Sequence, residues 1–123
     1  MAKLFIIIGA LSAAVSVMMG AFGAHALKSR LDEKALNVLH TGVEYQFYHA
    51  LGLVMIGLLL MSAHTPAGVK TVGWLFLAGT VLFSGSLYLL TLTGQKSFGI
   101  ITPFGGMAFI LGWLWLAFSY WKA

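Results

Sequence analysis

Long apolar runs separated by short polar intervals fill this chain. The runs cover about residues 4–24, 45–63, 69–92 and 103–121. Each approaches or exceeds the roughly 20 residues a helix needs to cross a hydrocarbon core of roughly 30 Å. Backbone groups at that depth must be satisfied inside helices. The pattern therefore predicts an all-α integral membrane protein, with four transmembrane helices in a compact bundle forming one domain over residues 1–123.

The hydrophilic interval 27–44 holds all three acidic residues, Asp32, Glu33 and Glu44. Ser29 with Asp32 fits a capping box that would start a helix near Arg30. At helical period Leu31, Ala35, Val38, Leu39, Gly42 and Val43 share one side. Glu33, Asn37, His40, Thr41, Glu44 and Tyr48 share the other. An amphipathic helical stretch over about 29–44 is expected, lying in the interface or extending the second span, with Gly42 as the point of any bend.

Small residues mark two packing seams. Ser12, Ser16, Gly20 and Ala24 recur every four residues in the first span, and Gly105, Gly106 and Gly112 open the fourth. Such positions let helix backbones approach closely in lipid. Thr102 suits the N-cap of the fourth span and Pro103 its first helical position. Gly99 would let Phe98 and Ile100 dip back into the interface, and Trp113, Trp115 and Trp121 read as bulk and interfacial anchors.

Composition narrows the function. Hydrophobic residues make up 60% of the chain and charged residues 8%, which leaves no room for a separate soluble catalytic domain. The net charge of +4 does not indicate nucleic acid, because the lysines and the arginine flank the apolar runs as membrane anchors do. Lys3, Lys70 and Lys122 stand at one end against Lys28, Arg30, Lys34 and Lys96 at the other. The N-terminal amine evens that count, so the positive-inside rule gives no direction. Ala24-His25-Ala26 after the first run mimics a signal-peptidase site, but a run of about 21 residues exceeds the usual h-region of about 7 to 15. A retained span is expected. With no cysteine, the chain has no disulfide, thiolate metal site or thiol nucleophile of its own.

The remaining polar residues collect near one end. With four spans the first and third connections share a side, bringing His25, the amphipathic stretch, Glu44, His49 and Thr102 towards the end of a polar stripe formed by Thr80, Ser84, Tyr88, Thr91 and Gln95. A carboxylate deep in lipid costs about 2.5 to 3.5 kcal/mol unless it pairs, reaches water or protonates, so Glu44 needs a partner, with His40, Lys34 or another helix as candidates. The candidate ligand-binding set is His25, Glu44, Tyr45, His49, Ser84, Tyr88, Thr91 and Thr102. His40 and Glu44 are one turn apart but lack a metalloprotease pattern. No metal or cofactor is assigned.

Four ordered motifs carry a family resemblance. Gly20-Ala21-Phe22-Gly23-Ala24-His25, Thr41-Gly42-Val43-Glu44-Tyr45-Gln46 with Tyr48-His49, Leu82-Phe83-Ser84-Gly85-Ser86-Leu87-Tyr88, and Thr102-Pro103-Phe104-Gly105-Gly106 with Gly112-Trp113 together resemble the YgdD/YwdK family of small bacterial membrane proteins. That resemblance implies a multi-pass protein of the bacterial cytoplasmic membrane and supplies no reaction, the family being a domain of unknown function. It also marks His25, Glu44, His49, Ser84, Tyr88 and Thr102 as motif residues.

Two readings follow. In the first, the polar end binds a small ligand, lipid headgroup or ion. In the second, the small-residue seams make the protein an interaction module, a homo-oligomer or a small subunit of a membrane complex. An enzyme is not expected, since no nucleophile, base and orienting acid share a recognisable spacing, and haem carriage by His25 and His49 rests only on their shared end. The lipid bilayer is the one partner the residues specify. They name no small molecule or protein.

Overall fold

No proline falls in a helix interior, and the apolar runs become four helices long enough to cross a membrane. The two prolines, Pro66 and Pro103, stand between spans and in the first turn of the last one. The computed structural model describes residues 1–123. In order the elements are α1 (Ala2–His25), α2 (Glu33–Leu60), α3 (Val69–Gly79), a π turn (Thr80–Ser84), α4 (Gly85–Thr93), a 3₁₀ turn (Lys96–Ile100) and α5 (Thr102–Lys122). The third span is thus one rod made of α3, the π turn and α4, ending at Gly94 in the left-handed conformation (φ 73°).

α2 begins at Glu33, three residues later than the expected start near Arg30. Asp32 is the N-cap, its carboxylate accepting from the Ala35 N–H at 2.8 Å. That single side chain satisfies the third amide of the helix, so Ser29 is left in the preceding turn. The amphipathic stretch is the first part of α2, which continues through Gly42 without interruption. At 1.5 Å per residue its 28 residues reach about 42 Å, about 12 Å more than the hydrocarbon core. Leu39 and Gly42 face inwards, while Glu33, Asn37, His40, Thr41, Glu44 and Tyr48 face outwards.

α1 packs along α2 and α3 along α5, with α2 and the third span between them. An apolar core of Phe5, Leu53, Ile56, Val69, Val72 and Phe76 fills the half of the bundle near Lys3 and Lys70. Polar side chains occupy the other half. Outward faces are apolar, with Leu11 63% and Leu114 62% exposed, as a lipid-facing surface requires.

The α1 seam differs from the strict four-residue stripe. Its buried residues are Phe5, Gly9, Ser16 and Gly23, with Ser12 and Gly20 half-buried and Ala24 exposed. A step of four residues rotates 400°, so the stripe drifts by 40° at each step and by Ala24 has turned off the contact. On α5 the seam is Gly105, Phe109, Gly112 and Ser119, with Gly106 at its margin.

Thr102 does not cap α5. The 3₁₀ turn leads directly into the helix, Ile101 is the N-cap residue without a side-chain bond, and Thr102 is already helical. Its hydroxyl lies 2.5 Å from that of Ser86, which links α5 to α4.

Candidate functional site

Inside the polar half, hydrogen bonds between side chains replace the apolar contacts of the other half. Gln46 of α2 donates from Nε2 to the Ser12 carbonyl and hydroxyl of α1, each at 3.2 Å. The Tyr88 hydroxyl of α4 donates to Gln46 Oε1 at 2.5 Å. One amide therefore joins three helices. Ser16 donates to the Ser12 carbonyl at 3.1 Å, and Ser84, at the end of the π turn, donates to the Gly42 carbonyl at 2.7 Å. The π turn inserts its extra residue where the stripe would otherwise rotate out of line. Thr80, Ser84, Leu87 and Thr91 consequently stay buried on one side, whereas Gln95 lies beyond α4 and is exposed.

His49 is closed in the same way. Trp113 Nε1 can only donate, and it reaches His49 Nε2 at 3.0 Å. Nε2 must then be the acceptor and Nδ1 the protonated nitrogen, which donates to the Tyr45 carbonyl at 2.8 Å. The ring stacks on Phe109 at 3.5 Å between centroids and meets Phe76 edge-on. Tyr45 completes the cluster against Phe83. With both nitrogens engaged, His49 fastens α2 to α5 and offers no free lone pair. Trp113→Phe should leave Nε2 bare and lower stability by about 1 to 2 kcal/mol. Thermal unfolding in detergent would measure it, and an unchanged midpoint would show that the bond carries no stability.

The predicted set is thus divided. Tyr45, His49, Ser84, Tyr88 and Thr102 build the interior contacts, while His25 is exposed at the end of α1. Glu44 sits on the outer face of α2. Its carboxylate accepts from the Tyr48 hydroxyl at the long distance of 3.5 Å, and neither His40 nor Lys34 bonds to it. Beside it a groove of about 460 Å³ separates α1 from α2.

A second cavity, of about 530 Å³, opens at the polar end between the start of α2 and the end of α4. Lys34 and Lys96 border it, with Asp32, Val38, Thr91 and Gly94 among its lining residues. The Thr91 hydroxyl is the one buried side-chain polar atom without a hydrogen-bond partner. No group of three or more His, Asp or Glu side chains converges at metal-binding distance.

Residues 19–106 match a family described as "Protein of unknown function (DUF423)". The chain belongs to this family. It is 51% identical over 112 residues to the UPF0382 membrane protein YwdK of Bacillus subtilis, covering 91% of each chain. It is also 51% identical over 120 residues to the UPF0382 membrane protein SH2409 of Staphylococcus haemolyticus, covering 98% of this chain and 97% of the relative. The UPF0382 membrane protein SSP2132 of Staphylococcus saprophyticus is 50% identical over 120 residues, with 98% of each chain covered. No solved structure matches. These relatives, together with the four apolar helices, make the chain a multi-pass helical membrane protein embedded in a lipid bilayer.

Sequence reasoning about this DUF423 member left Gln46, Trp113, Lys34 and Lys96 out of the candidate ligand-binding set, reading Trp113 as bulk or an anchor, Lys34 as an anchor or a partner of Glu44, and Lys96 as an anchor. Gln46 had a signal, because an uncharged amide inside an apolar run needs partners as much as a carboxylate does. The lysines had none, since every lysine in the chain looks like an anchor when read along the sequence.

Proposed function

We propose that this DUF423 protein is a binding protein of the bacterial cytoplasmic membrane that holds an anionic phospholipid headgroup at the polar end of its bundle. The end cavity carries this reading. Two lysines, Lys34 and Lys96, border a space of about 530 Å³, and Thr91, whose buried hydroxyl has no hydrogen-bond partner, also lines it. Lys34 and Lys96 would balance the charge of a phosphate held between them. Asp32 does not compete strongly, because its carboxylate is committed to the α2 amide at 2.8 Å and offset by the positive end of that helix. The aliphatic stems of the lysines and Val38 suit the glycerol and upper acyl region. Helical rather than barrel spans support the cytoplasmic membrane as its location.

The interaction-module reading has less support. Ser12 and Ser16 of the proposed seam are used within the chain, towards Gln46 and α1 itself.

Native mass spectrometry of protein released from mixed phosphatidylglycerol and phosphatidylcholine nanodiscs tests the proposal. One retained phosphatidylglycerol is expected per chain, in preference to phosphatidylcholine. Each lysine contributes about 1 kcal/mol, so Lys34→Gln with Lys96→Gln should weaken retention by about thirtyfold. Equal retention of the two lipids, or a double variant that holds phosphatidylglycerol normally, would refute it.

A further inference from the structure

The end cavity lies at one end of the bundle, so the leaflet it meets depends on how the chain enters the membrane. Orientation of a helical membrane protein follows the Lys and Arg residues that flank its spans, while Asp and Glu count for little. The fold assigns each of the seven to an end. Lys28 and Arg30 stand in the turn between α1 and α2, Lys34 in the first turn of α2 and Lys96 in the 3₁₀ turn, all at the polar end. Lys3 is in the first turn of α1, Lys70 in the first turn of α3 and Lys122 in the last turn of α5, all at the opposite end. Every one of them is exposed.

The two ends balance span by span as well as in total. Across α1, Lys3 and the Met1 amine stand against Lys28 and Arg30; across the third span Lys70 stands against Lys96, and across α5 Lys96 stands against Lys122. Only α2 leans, through Lys34. Summed over the chain, Lys28, Arg30, Lys34 and Lys96 at the polar end meet Lys3, Lys70, Lys122 and the amine at the other. Without the amine the excess is a single charge, which biases two orientations by about fivefold.

Nothing else in the fold breaks the tie. The charge rule governs loops shorter than about 60 residues, and the connections 26–32, 61–68 and 94–101 are all far below that length. The acidic residues, Asp32, Glu33 and Glu44, lie in or beside the first connection and belong to the class that contributes little.

We infer that the chain inserts in both orientations, so that one membrane holds copies with the polar end at the cytoplasmic face and copies with it at the outer face. The end cavity then opens towards each leaflet. Both orientations follow from the charge balance alone, so a loss of phosphatidylglycerol selectivity would leave them untouched.

The chain has no cysteine, so a reporter thiol can be placed singly at either end, as Ser29→Cys in the first connection or His64→Cys in the second. Spheroplasts of a Gram-negative host making the full chain at low level are treated with a membrane-impermeant maleimide before and after lysis, with an unlabelled cytoplasmic thiol protein as the check on intactness. Each reporter should be labelled in part before lysis, between about one sixth and about five sixths of its total, and the two fractions should sum to about one. Two lysines added at one end should then draw that end to the cytoplasm, shifting the ratio by about thirtyfold. Ala63→Lys with Ala67→Lys should nearly abolish labelling of the His64→Cys reporter, and Ala26→Lys with Gln95→Lys should do the same to the Ser29→Cys reporter. All six positions lie in connections, with exposed side chains, and the opposite responses of the two lysine pairs separate dual insertion from a misfolded fraction. Complete labelling of one reporter with none of the other would overturn the inference. Partial labelling that neither pair redirects would overturn it equally.

Discussion

Replacing Gly105 with alanine is expected to detach α5 from the bundle. A Cβ at this position would lie 2.3 Å from the Phe83 backbone nitrogen and 2.7 Å from its Cα. Those atoms belong to the π turn and cannot swing aside as a side-chain tip would. Overpacking usually costs about 1 to 3 kcal/mol, and a backbone clash places this variant at the upper end. The neighbouring Gly106 is an internal control, since its Cβ would meet only the Phe83 ring at 3.7 Å, an ordinary contact. Gly106→Ala should be neutral or slightly stabilising through helix propensity. Thermal unfolding in detergent, followed by the fluorescence of Trp113, Trp115 and Trp121 on α5, would separate the two. If the Gly105 and Gly106 variants melt together with the wild type, the close approach of α5 to the π turn is wrong.

Gln46→Leu is expected to cost about 2 kcal/mol or more. Leucine matches glutamine in size but removes both ends of the link, leaving the Tyr88 hydroxyl and the Ser12 hydroxyl without their partner on α2. An unpaired buried polar group costs about 1 to 3 kcal/mol, and in a membrane interior no water replaces the lost bond. Tyr88→Phe removes one donor and should cost about 1 kcal/mol. Combining the two changes should cost clearly less than the sum of the singles, because Tyr88 cannot lose the same bond twice. Strict additivity would mean that the Tyr88 to Gln46 bond contributes nothing.

The polar end shows where reading a sequence along one dimension fails. Six of the eight candidate ligand-binding residues are half-buried or buried, or pack against interior rings, and five of them hold helices together; this followed from which partners they met. His49 looks like a free imidazole until Trp113, 64 positions away, fills its second nitrogen. Thr91 and Ser84 belong to the same stripe, yet Ser84 finds the Gly42 carbonyl and Thr91 finds nothing. Side-chain type announces a need for a hydrogen bond without saying where it will be met.

The sequence by itself determined the solvent and the class of fold. Four apolar runs of spanning length leave the backbone no alternative to helices in lipid, and the polar and apolar sides of the stretch before Glu44 follow from helical period alone. Gly105 and Gly112 as close-approach points were also legible, because they act through the absence of a side chain, whereas the capping box put Ser29 in the capping role that Asp32 takes. Tertiary structure decided the rest. It merged the amphipathic stretch with α2, rotated Ala24 off the α1 seam, introduced the π turn and moved Thr102 from capping to a bond with Ser86. It also turned Glu44 outwards beside a groove and set Lys34 opposite Lys96. These outcomes depend on which helix faces which at what level, and that register comes from the packing of Gly9, Gly23, Gly42 and Gly105 against residues distant in the chain.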